Sequence, residues 1–241
     1  MKHWSIRLSL TAFVLIVLLG AFPKIISSPD FIFEKPQKWI HKGYGEYNQY
    51  KIYNFIAAHQ TGYTGIEFDL TCINNQILVQ HDMLVNKESL KLDELLPVLD
   101  SLDMYYWIDL KTGFDKRNNI LLLTNALNEF PNLKNRTIIE CGTFSGLHTF
   151  KQQNYRITYR IRQYSGNLFN QGISFIKNCL IITLSNPNAI AIDAKNINPY
   201  THFLYSNQNK MIWNTDELQS KYLNDYSIKV ALETKSIKVY E

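Results

Sequence analysis

The chain has 241 residues, 46% of them hydrophobic, and a formal net charge of +4. This is enough apolar material for one full core, so a single folded domain is the default. The charge is small and no dense Lys/Arg block occurs, so no nucleic-acid partner is expected, and the alternating stretch at 155–162 (YRITYRIR) reads as a strand with a charged edge.

The first segment differs from the rest. Lys2 and Arg7 precede an uncharged run at 8–22 (LSLTAFVLIVLLGAF), which is followed by Pro23 and Lys24. The run is short beside the roughly 20 residues of a spanning helix and suits the apolar region of a secretory signal. No small-x-small cleavage site follows it: Leu19 stands two places before Ala21, and Pro29 follows Ser28. An uncleaved anchor is therefore preferred to a cleaved signal. The positive charge before the run puts the remainder outside the cytoplasm, membrane-anchored or else secreted or periplasmic. Residues 1–35 are assigned to this segment and its Pro-containing linker, and 36–241 to the folded domain.

Strand-like runs then follow at 38–41, 65–70, 105–110, 136–140, 155–161, 189–193, 210–213 and 227–232. Helical patterns lie between them at 47–59, 92–102, 117–128, in a short stretch after Ser145, and at 216–223. Strands alternating with helices argue for an α/β protein with a parallel sheet, and eight of them for a (β/α)8 TIM barrel of small size. An open doubly wound sheet competes, but no glycine-rich loop follows the first strand. A ninth apolar run at 179–184 has no place in this pattern. Asn74-Asn75 supplies a turn, and residues 76–80 return as a short strand that brings His81 toward Asp69. Cys72, Cys141 and Cys179 are too few and too separated for a disulfide framework or a metal motif.

Six residues at the ends of these runs stand out: His41, Glu67, Asp69, His81, Asp109 and Lys111. Side chains alternate along a strand, so Glu67 and Asp69 share one face while Ile66, Phe68 and Leu70 share the other. Asp109 and Lys111 obey the same rule against Ile108 and Leu110. In a parallel barrel one face meets helices and the other the interior. Carboxylates inside are costly unless paired or bound to a metal, which argues for a site. Three carboxylates make a hard oxygen site suited to Mg²⁺ or Ca²⁺. Lys111 adds a cationic donor, and two histidines from different segments can divide proton transfer. This set fits phosphodiester cleavage. Glu140, Tyr159 and Arg160 are secondary candidates, and His59 and His148 are expected at the surface.

The segments His41-Lys42-Gly43, Gly65-Ile66-Glu67-Phe68-Asp69, Val79-Gln80-His81-Asp82 and Ile108-Asp109-Leu110-Lys111 resemble the glycerophosphodiester phosphodiesterase family. That family belongs to the barrel superfamily of phosphatidylinositol-specific phospholipase C. The resemblance thins after Lys111, continuing in residues 189–193 and in Met211-Ile212-Trp213-Asn214. It implies an eight-stranded barrel with His41 and His81 as acid/base pair and Glu67, Asp69 and Asp109 as ligands of a divalent cation. It also implies that Lys42 and Lys111 contact phosphate and that Trp213 packs on substrate. The expected partners are a phosphodiester small molecule or lipid head group, and the membrane through the N-terminal segment.

The chain departs from the family pattern in three places. Lys42 replaces the usual Arg, which keeps the charge but loses the bidentate fork. The Pro-Glu-Asn-Thr segment is missing. Asp109 replaces the commoner Glu, and Asp109-Leu110-Lys111-Thr112-Gly113 is similar to the sphingomyelinase D branch. Two other classes compete: a catalytically silent barrel acting as a cell-envelope accessory protein, and a glycoside hydrolase. Glu67 and Asp69 lie too close along one strand to flank a glycosidic bond.

Overall fold

The computed structural model of the chain describes residues 28–29, 38–42, 50–81, 89–161, 168–214 and 228–233. The apolar run at 8–22 and the expected helix at 216–223 lie outside them. No helix among the described residues is long and apolar enough to cross a membrane.

Eight strands form a closed parallel ring. In ring order they are β1 (Trp39–His41), β2 (Gly65–Ile73), β4 (Tyr105–Leu110), β5 (Thr137–Cys141), β6 (Arg156–Arg160), β7 (Ala189–Asp193), β8 (Lys210–Trp213) and β9 (Ile228–Glu233). Strand β1 pairs with both β2 and β9, which closes the ring and removes the open-sheet alternative. All eight sequence-expected strands are present. Strand β3 (Gln76–Val79) is the extra one, antiparallel to β2 with Ile73 opposite Gln76. The Asn74-Asn75 turn between them has φ of 50° and 61°, the left-handed pair that a two-residue hairpin demands.

Alternation along each strand divides the core in two. Ile66, Phe68 and Leu70 of β2, Tyr106 and Ile108 of β4, and Ile157 and Tyr159 of β6 face outward under the helices. Trp39, Trp107, Ile138, Ala191 and Met211 fill the barrel interior. Gly65 is dictated by this packing, since a Cβ there would lie 2.2 Å from the Trp39 indole.

The helices carry apolar stripes at helical spacing. Helix α1 spans Ile52–Gln60, α2 Leu92–Ser101, α3 Arg117–Asn128, α4 Pro131–Arg136, α5 Phe144–Gln152, α6 Leu168–Ser185 and α7 Pro199–Leu204. Leu92, Leu95, Leu96 and Leu99 of α2 are buried at i, i+3, i+4 and i+7. Thr143 caps α5, its hydroxyl accepting from the Gly146 N–H at 3.2 Å.

Two expectations need correction. The helix expected at 47–59 starts at Ile52, because Lys51 is extended and the hydroxyl of Tyr50 donates to Asp69 Oδ2 at 2.8 Å inside the barrel. The unplaced run at 179–184 is no strand. It belongs to α6, where its apolar residues at helical spacing lie along a turn rather than alternating. All three cysteines are buried and free, and His59 and His148 are exposed.

Candidate active site

Strand register sets the site. Asp69 of β2 stands level with Asp109 of β4, and Asp109 level with Glu140 of β5. His41 of β1 is level with Glu67. Because all these strands are parallel, their inward side chains gather at the carboxyl end of the barrel, where a (β/α)8 fold carries its chemistry. A cavity of about 290 Å³ opens there.

Seven of the eight sequence-nominated residues line this cavity: His41, Lys42, Glu67, His81, Asp109, Lys111 and, on its wall, Trp213. Asp69, the eighth, lies fully buried behind Lys111. Ligand oxygens of Glu67, Asp69 and Asp109 all fall within 4.8 Å of one another. His41 Nε2 is 3.5 Å from Glu67 Oε2. Lys111 Nζ lies 3.0 Å from Asp69 Oδ1 and 2.5 Å from Asp109 Oδ2, and Lys42 Nζ 3.6 Å from Asp69 Oδ2.

The sequence underrated four members of the wall. Glu140 is buried beside Asp109, and the Arg160 guanidinium bridges the two by ion pairs to both. Trp107 donates its indole N–H to Glu140 Oε2 at 2.9 Å and meets the Trp213 ring edge-on at a centroid distance of 6.4 Å. Asn214 also lines the cavity. Tyr159, ranked beside Arg160 from sequence, faces the opposite way and bonds Asn178 of α6 at 2.7 Å. Parity along β6 carried the signal: residue 160, not 159, falls on the inner face. Lys42 and Asn214 both hold left-handed backbone, with φ of 59° and 57°. Non-glycine residues keep such conformations only where their surroundings enforce them.

Four carboxylates (Glu67, Asp69, Asp109, Glu140) face three fixed cations (Lys42, Lys111, Arg160), leaving one negative charge in excess. Burial and this excess together act on the acids. Glu67 is pushed well above the ordinary carboxylate range, first by burial and then by Asp69 and Asp109. Asp109 is pushed up to about 7 by burial and by Glu140, despite Arg160 and Lys111. Burial alone would raise Asp69, but Lys111 and Lys42 outweigh it and hold it low. Asp109 Oδ1 is buried with no hydrogen-bond partner. A hard divalent cation among these three acids would satisfy that oxygen and more than offset the excess, so the residues fit the ion. Burial, then the charge of Lys42, lowers His41 to about 4, so its imidazole is neutral at neutral pH.

No family model and no curated protein matches the chain. Solved structures do. A glycerophosphodiester phosphodiesterase from Parabacteroides distasonis superposes with a TM-score of 0.61 over 80% of this chain and 90% of that one, at 13% identity. The chain has the fold of these phosphodiesterases. A phosphodiesterase from Oleispira antarctica, in complex with its product sn-glycerol-3-phosphate, gives a TM-score of 0.62 over 83% of this chain and 93% of that one, at 11% identity. A glycerophosphodiester phosphodiesterase from Agrobacterium tumefaciens gives 0.51 over 74% and 85%, at 13% identity. The phosphodiesterase fold is thus shared across nearly the whole of those chains, while almost all of the sequence has changed.

Proposed function

We propose that this protein is a divalent-cation-dependent phosphodiesterase acting on glycerophosphodiesters or phospholipid head groups, with His41 and His81 as its acid/base pair. The observation that carries this reading is the shared cavity: Glu67, Asp109, two lysines and two histidines from different segments line one opening, and Asp69 completes the carboxylate cluster directly behind it. The phosphodiesterase fold supports it.

Each residue has a task. Glu67, Asp69 and Asp109 would hold Mg²⁺ or Ca²⁺, and the bound ion supplies positive charge opposite the phosphoryl oxygens. With the ion present the fixed charge of the site becomes net positive by one, which matches a phosphodiester monoanion. Lys111, already fixed between Asp69 and Asp109, offers its ammonium to a non-bridging oxygen, and Lys42 flanks the same region. His41, neutral at working pH, takes the proton from the attacking hydroxyl, whether water or a neighbouring alcohol of the substrate. His81, partly exposed on the same cavity, returns a proton to the leaving oxygen. Trp213 forms a wall against which the substrate packs. The apolar segment at 8–22 would hold the domain at a membrane, outside the cytoplasm and beside such substrates.

The test is release of glycerol phosphate or free alcohol from a panel of phosphodiesters with Mg²⁺ or Ca²⁺ present. His41→Ala and His81→Ala should each lower kcat by about 10²- to 10⁴-fold while leaving the fold intact. Metal binding without turnover of any panel member would instead favour a silent barrel.

A further inference from the structure

The outer face of α6 exposes a cluster of large apolar side chains. Its inner face packs Ile182 and Cys179 against the core. Its outer face is also apolar: Ile173, Ile176, Leu180 and Leu184 recur at helical spacing. An apolar strip on a helix normally lies buried. Yet Ile173 is 50% exposed, Leu180 40% and Leu184 67%. With Phe144 of α5 these account for four of the seven large exposed hydrophobics among the described residues, so the exposure is clustered, not scattered.

These side chains line a groove of about 520 Å³ that starts at Gly142 and Thr143, on the carboxyl rim of the barrel. From Ile173 to Leu184 it follows roughly 16 Å of helix. The groove does not end at the rim. A middle cavity of about 440 Å³ shares Gly142 and Thr143 with it, and shares Lys111 and Arg160 with the polar cavity. The middle cavity mixes Thr112, Asp115 and Thr143 with Leu110 and Phe114. Polarity therefore falls in three steps through three adjoining cavities, from charged through mixed to largely apolar, with Lys177 the one charged residue of the groove.

An amphiphile with a phosphate, a polar linker and one hydrocarbon chain has the same order of chemistry. We propose that the groove between α5 and α6 takes the single alkyl or acyl chain of a phosphodiester whose phosphate lies beside Lys111 and Arg160. This rests on the phosphodiesterase reading and narrows its substrate to single-chain lipids. A bilayer or a second copy of the chain would cover an apolar face equally well, but neither accounts for its continuity with the charged cavity.

The experiment compares 1-lauroyl-glycerophosphocholine, below its micelle concentration, with glycerophosphocholine, which share choline, phosphate and glycerol and differ only in the acyl chain. Binding of each to the full-length protein, kept free of single-chain detergent, is measured by titration calorimetry. The acylated compound should bind at least about thirty-fold more tightly, the equivalent of two to three buried methylenes. The double variant Ile173→Asp/Leu180→Asp, placed on exposed side chains, should erase that preference and leave glycerophosphocholine affinity within about twofold. Equal affinities in the wild type would overturn the proposal. So would a variant that keeps the preference while losing binding to phosphatidylcholine vesicles or changing its sedimentation mass. Hydrolysis of glycerophosphocholine is read separately: its absence counts against the phosphodiesterase reading, whatever the chain-dependent affinity shows.

Discussion

Asp69 and Asp109 stand opposite each other on neighbouring parallel strands, and one ammonium, that of Lys111, lies within 3.0 Å of both. Two buried carboxylates side by side repel strongly in a low-dielectric interior. Lys111 relieves part of that repulsion, and its own ammonium is in turn held above the usual lysine range. Burial alone would lower it, but Asp109 and Asp69 outweigh burial.

The remaining excess of negative charge predicts ion-dependent stability. Adding Mg²⁺ or Ca²⁺ to chelator-treated protein at a hundred times the dissociation constant should stabilise it by about 2.7 kcal/mol. For a domain of this size that raises Tm by roughly 5–10 °C. Asp109→Asn, which removes one ligand charge, should reduce the gain sharply. Calorimetric melts with and without the ion decide it, and identical melts would count against the cation site.

The same acids predict an unusual pH dependence for the ion-free protein. Asp109 has a folded pKa of about 7, against roughly 3.9 when unfolded. Between those values the folded chain binds the extra proton, so stability is greatest on the acid side and falls as pH rises toward 7. Glu67, also raised, acts in the same direction, and the two acids together outweigh His41, whose lowered value of about 4 opposes them below about pH 6.5. The slope should be on the order of 1 kcal/mol per pH unit and should flatten when the divalent ion is added. Denaturant midpoints at pH 5, 6 and 7 measure it, and a rise across that window would refute it.

Arg160 is expected to behave as a structural cation of the site. Arg160→Ala leaves Glu140 and Asp109 buried without their shared partner, a change that costs about 3–5 kcal/mol in comparable buried pairs. Arg160→Lys keeps the charge but cannot span both carboxylates with one planar fork, and should fall between. Pairing Arg160→Ala with Glu140→Gln in a double-mutant cycle should restore part of the loss. Strict additivity would show that the two residues do not interact.

Two glycines with positive φ separate backbone strain from crowding. Gly113 has φ +92°, and a Cβ there would meet the Cys72 carbonyl oxygen at 2.2 Å. Gly62 has φ +84° with open space around it. Gly62→Ala should cost only about 1–2 kcal/mol of left-handed strain. Gly113→Ala should cost at least about twice that, because the neighbouring backbone must also shift. Urea midpoints of the two variants give the comparison, and equal losses would mean the Cys72 contact is not rigid.

Much of the site was legible because strand parity is a local property. Glu67 and Asp69 flank Phe68, and Asp109 and Lys111 flank Leu110, so the inward face of each strand follows from spacing of two without knowledge of its neighbours. The Asn74-Asn75 turn likewise announced the return of His81 to the cavity, since side-chain chemistry fixes that backbone. Glu140 and Arg160 were harder. Parity puts both on the inner face, but nothing within β5 or β6 says that the Arg160 guanidinium bridges Glu140 to a carboxylate two strands away. Tyr50 was misjudged for a related reason: its helical pattern was overridden by a hydrogen bond to Asp69 nineteen residues away.

The sequence by itself determined which faces of the strands are apolar and the acid, base and cation inventory at their ends, because these depend on period and residue type. The tertiary structure decided that the ring closes through β1, β2 and β9, that Asp69, Asp109 and Glu140 fall level across three strands, and that Arg160 spans two of them. It also decided that the run at 179–184 lies on a helix with an uncovered apolar side. Register and closure are relations between segments distant in the chain. They are set by the summed packing of the whole barrel, which no local window contains.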